Sequence, residues 1–156
     1  MSSRTTVPGS ELEQLIAEAA ASGRLIWTMH PAAGKASMEV FTTNVSVLFA
    51  GKRFDLETEG GHVHVLLDAI GRVRFVREPD PHAGAGREAL RLRLLTPEGA
   101  ELVSCSWYPL YDEQGTMLAD RRARWEALRA HYAGGREEVL VRDRALVASV
   151  AGTAQP

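Results

Sequence analysis

Residues 60–79 read GGHVHVLLDAIGRVRFVREP, and two runs within this stretch alternate in the character of their side chains. Because successive strand side chains point to opposite faces, His62 and His64 would share one face, while Val63 and Val65 would share the other. The valine face is typical of a protein core, whereas imidazoles on an open sheet face can ligate a metal, act as a base or simply meet water. The stretch therefore predicts a β-sheet and leaves the role of its histidine face open.

The composition limits the classes of protein to which the chain can belong. Its 156 residues, of which 45% are hydrophobic, suffice for the core of a single domain spanning residues 1–156. The net charge of −2 argues against nucleic acid as a partner. The sequence has neither a signal-peptide pattern nor an apolar run of membrane-spanning length, and Cys105 is its only cysteine. We therefore expect a soluble, cytoplasmic protein that contacts no membrane.

Two helices are predicted at the two ends of a strand region. In SELE, at 10–13, a hydroxyl precedes a carboxylate by three residues, which is the capping-box pattern, so a helix is expected within 8–23. A second helix is expected at 118–134, with Asp120 as its N-cap and glycines at its end.

Between residues 24 and 108 the hydrophobic pattern has the two-residue period of strands. About seven segments, separated by Pro, Gly, Asp and Asn, predict an antiparallel meander. For residues 136–151 the sequence allows either a short helix or a last hairpin, and it does not decide between them. The sequence thus predicts an α+β fold, in which a large antiparallel β-sheet of about seven strands packs against an N-terminal helix and one or two C-terminal helices.

The paired histidines could belong to a non-haem metal site. Such a site needs a third protein ligand beside His62 and His64, and the candidates are His30, His82 and Glu57. The alternative is that both histidines are ordinary polar residues on a solvated strand face.

Nucleophilic catalysis and dinucleotide binding have little support in the sequence. The segment SCSWY lacks a nucleophile elbow, so Cys105 is predicted to be a small core residue. The segment GAGRE does not lead from a buried strand into a helix, as dinucleotide binding requires.

Arginines alternate with apolar residues in two of the predicted strands. In EALRLRLL the leucines face one side while Arg91 and Arg93 face the other, and Arg72 and Arg74 are arranged in the same way in GRVRFVRE. An arginine-bearing sheet face near strand histidines would suit a flat, apolar and anionic ligand such as haem. The alternative is the ordinary polar face of an antiparallel sheet.

Four segments between Val40 and Gly134 resemble a known family: VFTTNVSVLFAG, FDLETEGGHVHVLLDAIGRVRFVREP, LRLLTPEGAELVSCSWY and ADRRARWEALRAHYAG. In order and spacing they are similar to the cytosolic haem-utilisation proteins of the ChuX, HutX and HemS group. The resemblance implies a large antiparallel sheet with C-terminal helices and a homodimer. It also implies haem binding for intracellular haem or iron utilisation.

The same resemblance implies a set of site residues. The histidine of the family falls on His64 or, with a shift in register, on His62, and either would ligate iron. Where some members have a second histidine this chain has Phe41, which can pack on a porphyrin but cannot ligate its iron. The expected haem-binding residues are therefore His64, His62, Phe41, Arg74, Arg91 and Trp125. The arginines would form ion pairs with the haem propionates, and Trp125 would cover the porphyrin ring. The chain departs from the family in VSCSWYPLYD, where a lysine and an arginine of the family are replaced.

Three functions follow as hypotheses. The first is a haem-binding carrier or haem-handling protein. The second is an enzyme that holds a non-haem metal, and the third is a module of the same fold that has lost haem and binds small molecules or proteins. Whether the protein is an enzyme stays open.

Overall fold

The computed structural model describes residues 7–30, 38–42, 46–58, 61–80 and 83–148. Two helices lie within this part of the chain: α1 (Glu11–Ala20) and α2 (Ala119–Ala133). The same residues form ten strands: β1 (Leu25–Met29), β2 (Met38–Thr42), β3 (Ser46–Ala50), β4 (Arg53–Thr58), β5 (Gly61–Leu66), β6 (Arg72–Pro79), β7 (Glu88–Leu95), β8 (Glu101–Trp107), β9 (Glu138–Arg142) and β10 (Ala145–Ala148).

Helix α1 begins at the predicted capping box. The Glu13 N–H donates to Ser10 Oγ at 3.2 Å, while the Ser10 hydroxyl donates to Glu13 Oε1 at 2.9 Å. Leu12, Leu15 and Ile16 fall on one side of the helix and are buried in the core. The N-terminal helix is therefore confirmed, together with the reason that it begins where it does.

The strands form two antiparallel sheets. Seven strands pair in the order β10-β9-β6-β7-β8-β1-β2, and three pair in the order β3-β4-β5. The inner face of the seven-stranded sheet contributes Phe75, Leu92 and Val103 to the core, and the three-stranded sheet contributes Phe49 and Phe54 to the same cluster. Because the two inner faces meet in one core, the two outer faces point away from it.

The predicted α+β class, with a large antiparallel sheet of seven strands, is confirmed. The expected continuous meander is wrong, because the chain from β1 to β8 forms eight strands divided between two sheets. The histidine strand, β5, belongs to the smaller sheet. The C-terminal segment, for which the sequence left a helix and a hairpin as alternatives, contains the hairpin of β9 and β10. Asp143 and Arg144 occupy its turn at φ 50° and 64°.

Helix α2 covers the inner face of the large sheet. Trp125 is 1% exposed, its ring centroid lies 6.0 Å from that of Phe75, and its indole N–H donates to the carbonyl of Arg91 at 3.0 Å. The predicted N-cap, Asp120, is wrong: the N-cap is Leu118, and no side chain caps this helix end. Gly134 ends the helix in the left-handed conformation, at φ 59°. No helix among the described residues is long and apolar enough to span a membrane.

Candidate functional site

The two histidines lie on the outer face of the three-stranded sheet. In the β4–β5 hairpin, His64 stands opposite Asp55 and His62 stands opposite Glu57. Their ring centroids are 4.7 Å apart. The side chain of His64 is 45% exposed, so this face is open to a ligand from solvent.

Asp55 is the partner that orients His64. Its side chain is completely buried, its Oδ1 contacts His64 Nδ1, and Arg53 Nε lies 3.1 Å from the same oxygen. Since the carboxylate accepts a hydrogen bond, Nδ1 of His64 carries the proton and the lone pair is on Nε2. A histidine that donates its second ring N–H to a carboxylate is the usual arrangement of a metal-ligating imidazole, and the carboxylate fixes the orientation of the ring.

Apolar side chains flank this histidine. Leu66, two residues further along β5, is 62% exposed, and Leu48 of β3 stands opposite Asp55 and is half-buried. An exposed leucine is costly in water but favourable beneath an apolar ring. The outer face therefore combines an oriented imidazole with an apolar surface.

The donor set fits haem better than a free metal ion. Within the described parts of the chain, no group of three or more His, Cys, Asp or Glu side chains could hold a metal ion. His30 lies elsewhere, paired through Nε2 with Glu101, and His82 lies outside the described residues. Haem iron needs only one or two ligands from the protein, because the porphyrin supplies four.

The structure does not gather the other expected haem residues around the histidines. Arg74 and Arg91 lie on the large sheet, where Arg74 Nη2 is 2.7 Å from Glu138 Oε1 and Arg91 Nε is 3.1 Å from Glu78 Oε1. Phe41 belongs to β2 of the same sheet, opposite Ile26, and its side chain lies outside the described part of the structure. Trp125 is a core residue rather than a cover for a ligand, as its burial shows.

A pocket of about 510 Å³ opens on the outer face of the seven-stranded sheet. Strands β1, β2, β7 and β8 form its floor, and the segments before β7 and after β8 form its walls. Its lining includes two aromatic and two cationic side chains, namely Tyr108, Tyr111, Arg87 and Arg91. Trp107 also borders the pocket, but its side chain is 2% exposed and belongs to the core. Neither His62 nor His64 lines it. The sequence contained a signal for this pocket, because its aromatic wall lies in the segment VSCSWYPLYD that departs from the family pattern.

Cys105 is not a nucleophile in this fold. It lies 1% exposed in the core, and burial raises the pKa of its thiol far above the usual range. Cys105 is therefore the small core residue that the sequence predicts.

Comparison with solved structures identifies the fold. ChuX, described as a haem-binding protein, matches with a TM-score of 0.63 and 16% identity over 83% of this chain and 77% of that chain. The chain has the ChuX fold. No family model matches the sequence, and no curated protein matches it either.

Larger proteins contain the same fold as a part. ChuS, an Escherichia coli haem oxygenase, matches with a TM-score of 0.59 and 14% identity over 76% of this chain and 35% of its own. The haem-bound form of PhuS, a haem-binding protein from Pseudomonas aeruginosa, matches with a TM-score of 0.56 and 17% identity over 73% of this chain and 31% of its own. The chain thus spans about a third of the length of these two proteins. At such identities the likeness to ChuX, ChuS and PhuS is one of fold.

Proposed function

We propose that the protein binds haem for intracellular haem or iron utilisation and that His64 is the iron ligand. The observation that carries the proposal is the contact between His64 Nδ1 and the buried carboxylate of Asp55, on a fold that the haem-binding protein ChuX shares. Bound haem would supply an iron atom that accepts a lone pair from a neutral imidazole nitrogen.

Each residue of the histidine face has a separate part in this proposal. Asp55 holds the His64 ring with Nε2 directed away from the carboxylate, Arg53 balances the buried charge, and Leu66 offers apolar surface to the porphyrin. His62 is the alternative ligand, because its ring stands next to that of His64.

We extend the proposal to a cytoplasmic homodimer. The histidine strand β5 lies at one edge of the three-stranded sheet, and β2 and β10 lie at the edges of the larger one. Backbone groups on sheet edges favour pairing with another chain, and a second copy is the simplest partner. A buried free thiol at Cys105 is compatible with a reducing compartment.

Titration of the purified protein with hemin tests the proposal. We expect a saturable change in the Soret band at micromolar hemin with one haem per chain. The competing hypothesis of a non-haem metal enzyme predicts instead that stoichiometric zinc or iron is found by metal analysis after purification. The absence of any saturable Soret change would refute haem binding.

A further inference from the structure

We propose that the pocket on the outer face of the seven-stranded sheet is a second ligand site, which takes an aromatic monocarboxylate and uses Arg87 as its anchor. The site is independent of the proposed haem ligand, because His62 and His64 lie on the other sheet. The inference therefore goes beyond the proposed function and does not depend on it.

Arg87 is held in place by its neighbours, and within the described part of the chain it has no acidic partner. Its guanidinium carbon lies 5.1 Å from the centroid of the Tyr111 ring, within the range of a cation–π contact that holds the group beside this wall. Gly115 allows the approach, since a Cβ there would lie 2.4 Å from Nη2 of Arg87. Among the described residues no carboxylate forms an ion pair with Arg87, and the adjacent Glu88 pairs with Arg77 at 2.9 Å. A guanidinium held by a cation–π contact still has N–H donors for a carboxylate.

Arg91 supplies a second cation, which the protein itself pairs with a carboxylate. Its ion-pair partner, Glu78, is shared with Arg93, whose Nη2 lies 2.6 Å from the same oxygen. Arg93 also pairs through Nε with Glu101 Oε1 at 3.0 Å, so two carboxylates serve these two guanidinium groups. Arg91 lines the pocket as a cation that is already paired, which leaves Arg87 as the anchor.

The acidic side chains of the lining limit the charge of the ligand. Two arginines share the pocket with four carboxylates, those of Glu39, Asp80, Glu88 and Asp112. Asp112 is occupied, because its Oδ1 accepts from the N–H groups of Gln114 and Thr116, both at 2.9 Å. A dianion such as haem would meet more repulsion in this lining than a monoanion does. The single carboxylate of a monoanion can pair with Arg87, while its uncharged ring lies away from the acidic side chains.

The wall that faces Arg87 is held in place by hydrogen bonds. The Tyr111 hydroxyl accepts from the Glu88 N–H at 2.6 Å and donates to the Glu88 carbonyl at 3.0 Å. Arg121 of α2 donates through Nη2 to the carbonyl of Tyr108 at 3.1 Å, and to that of Arg24 as well. A wall fixed before binding costs the ligand little ordering entropy.

The shape and the apolar part of the pocket indicate an aromatic body. The volume of about 510 Å³ lies in the range of sites for small organic ligands. Tyr108 and Tyr111 offer ring surfaces, and Pro109 and Leu110 add apolar contacts. Flat rings pack on such side chains in offset or edge-to-face arrangements.

The test is a titration of the isotope-labelled full chain with 2-naphthoate, followed by the backbone amide signals in NMR. We expect saturable shifts at Arg87, Glu88 and Tyr111 that exceed those at His62 and His64. Arg87→Gln should weaken 2-naphthoate binding about ten-fold or more, because it removes a charge-assisted hydrogen bond.

Two controls separate this site from a non-specific one. Arg72→Gln changes an arginine of the same sheet that does not line the pocket, and it should leave 2-naphthoate affinity unchanged. The neutral analogue 2-naphthalenemethanol should bind more weakly than 2-naphthoate, and Arg87→Gln should affect its affinity less.

Several results would overturn the inference. They are the absence of saturable shifts at millimolar 2-naphthoate, shifts confined to the histidine face, and equal affinity in the wild type and Arg87→Gln. A loss of hemin affinity in Arg87→Gln as large as that in His64→Ala would mean that the pocket is the haem site, which also contradicts the inference.

Discussion

Replacing Asp55 with asparagine should weaken hemin binding about ten-fold. The carboxylate of Asp55 is completely buried and contacts His64 Nδ1, so it sets both the tautomer and the orientation of the imidazole. Changes at such supporting carboxylates typically lower affinity about 10- to 100-fold. Asparagine keeps the volume and one acceptor oxygen, but it loses the charge and replaces the other oxygen with an NH2 donor. Because one acceptor for His64 Nδ1 is retained, we expect the lower end, about 1.4 kcal/mol of binding free energy. Asp55→Ala also removes the acceptor and should approach the upper end.

The assay is a hemin titration at fixed pH, read from the Soret absorbance, beside urea melts of each variant. The matched control is Asp120→Asn, which changes an exposed aspartate on α2 and should leave both measurements unaltered. The unfolding midpoints identify variants that lose affinity only because they unfold. The proposed role of Asp55 is wrong if Asp55→Asn and Asp55→Ala are folded and bind hemin with an affinity within two-fold of the wild type, while His64→Ala binds it more weakly than that.

Three further predictions concern the fold and the assembly. Trp125→Ala should lower the free energy of unfolding by about 3 to 5 kcal/mol, because it empties a core site and removes the bond to the Arg91 carbonyl; a loss below about 1 kcal/mol in urea melts would place α2 at the periphery. The buried Cys105 thiol, whose pKa is raised, stays protonated at pH 8, so Ellman's reagent should react with it in urea but hardly at all in native buffer; equal rates would contradict its burial. Light scattering should give a particle of twice the 17.0 kDa chain mass, and a monomer throughout the micromolar range would exclude the homodimer.

The local elements could be predicted because their causes lie within short segments. The capping box at Ser10 and Glu13 marks the start of α1, and the stripe containing Trp125 and Leu128 marks the buried face of α2. The period-two runs predicted strands correctly, since each needs only one apolar face.

The partition into two sheets could not be predicted from the same patterns. The apolar alternation of β5 resembles that of β6, yet the two strands belong to different sheets. Alternation reports that a strand has a buried face, but it does not report which strand lies beside it. The expected cluster of His64 with Arg74 and Arg91 was wrong for this reason.

The partner of His64 was within reach of sequence reasoning. The register that pairs Thr58 with Gly61 also places Asp55 opposite His64, so an assumed tight hairpin at 59–60 would have identified the pair. The pocket was harder to foresee, because Arg87 and Tyr111 come together only through tertiary contacts between loops.

Whether His64 ligates haem iron can be decided by a hemin titration of the wild type, His64→Ala, His62→Ala and the double variant. We predict that His64→Ala shifts the Soret maximum and weakens hemin binding, with a smaller effect of His62→Ala. An unchanged spectrum and affinity in all three variants would contradict the claim.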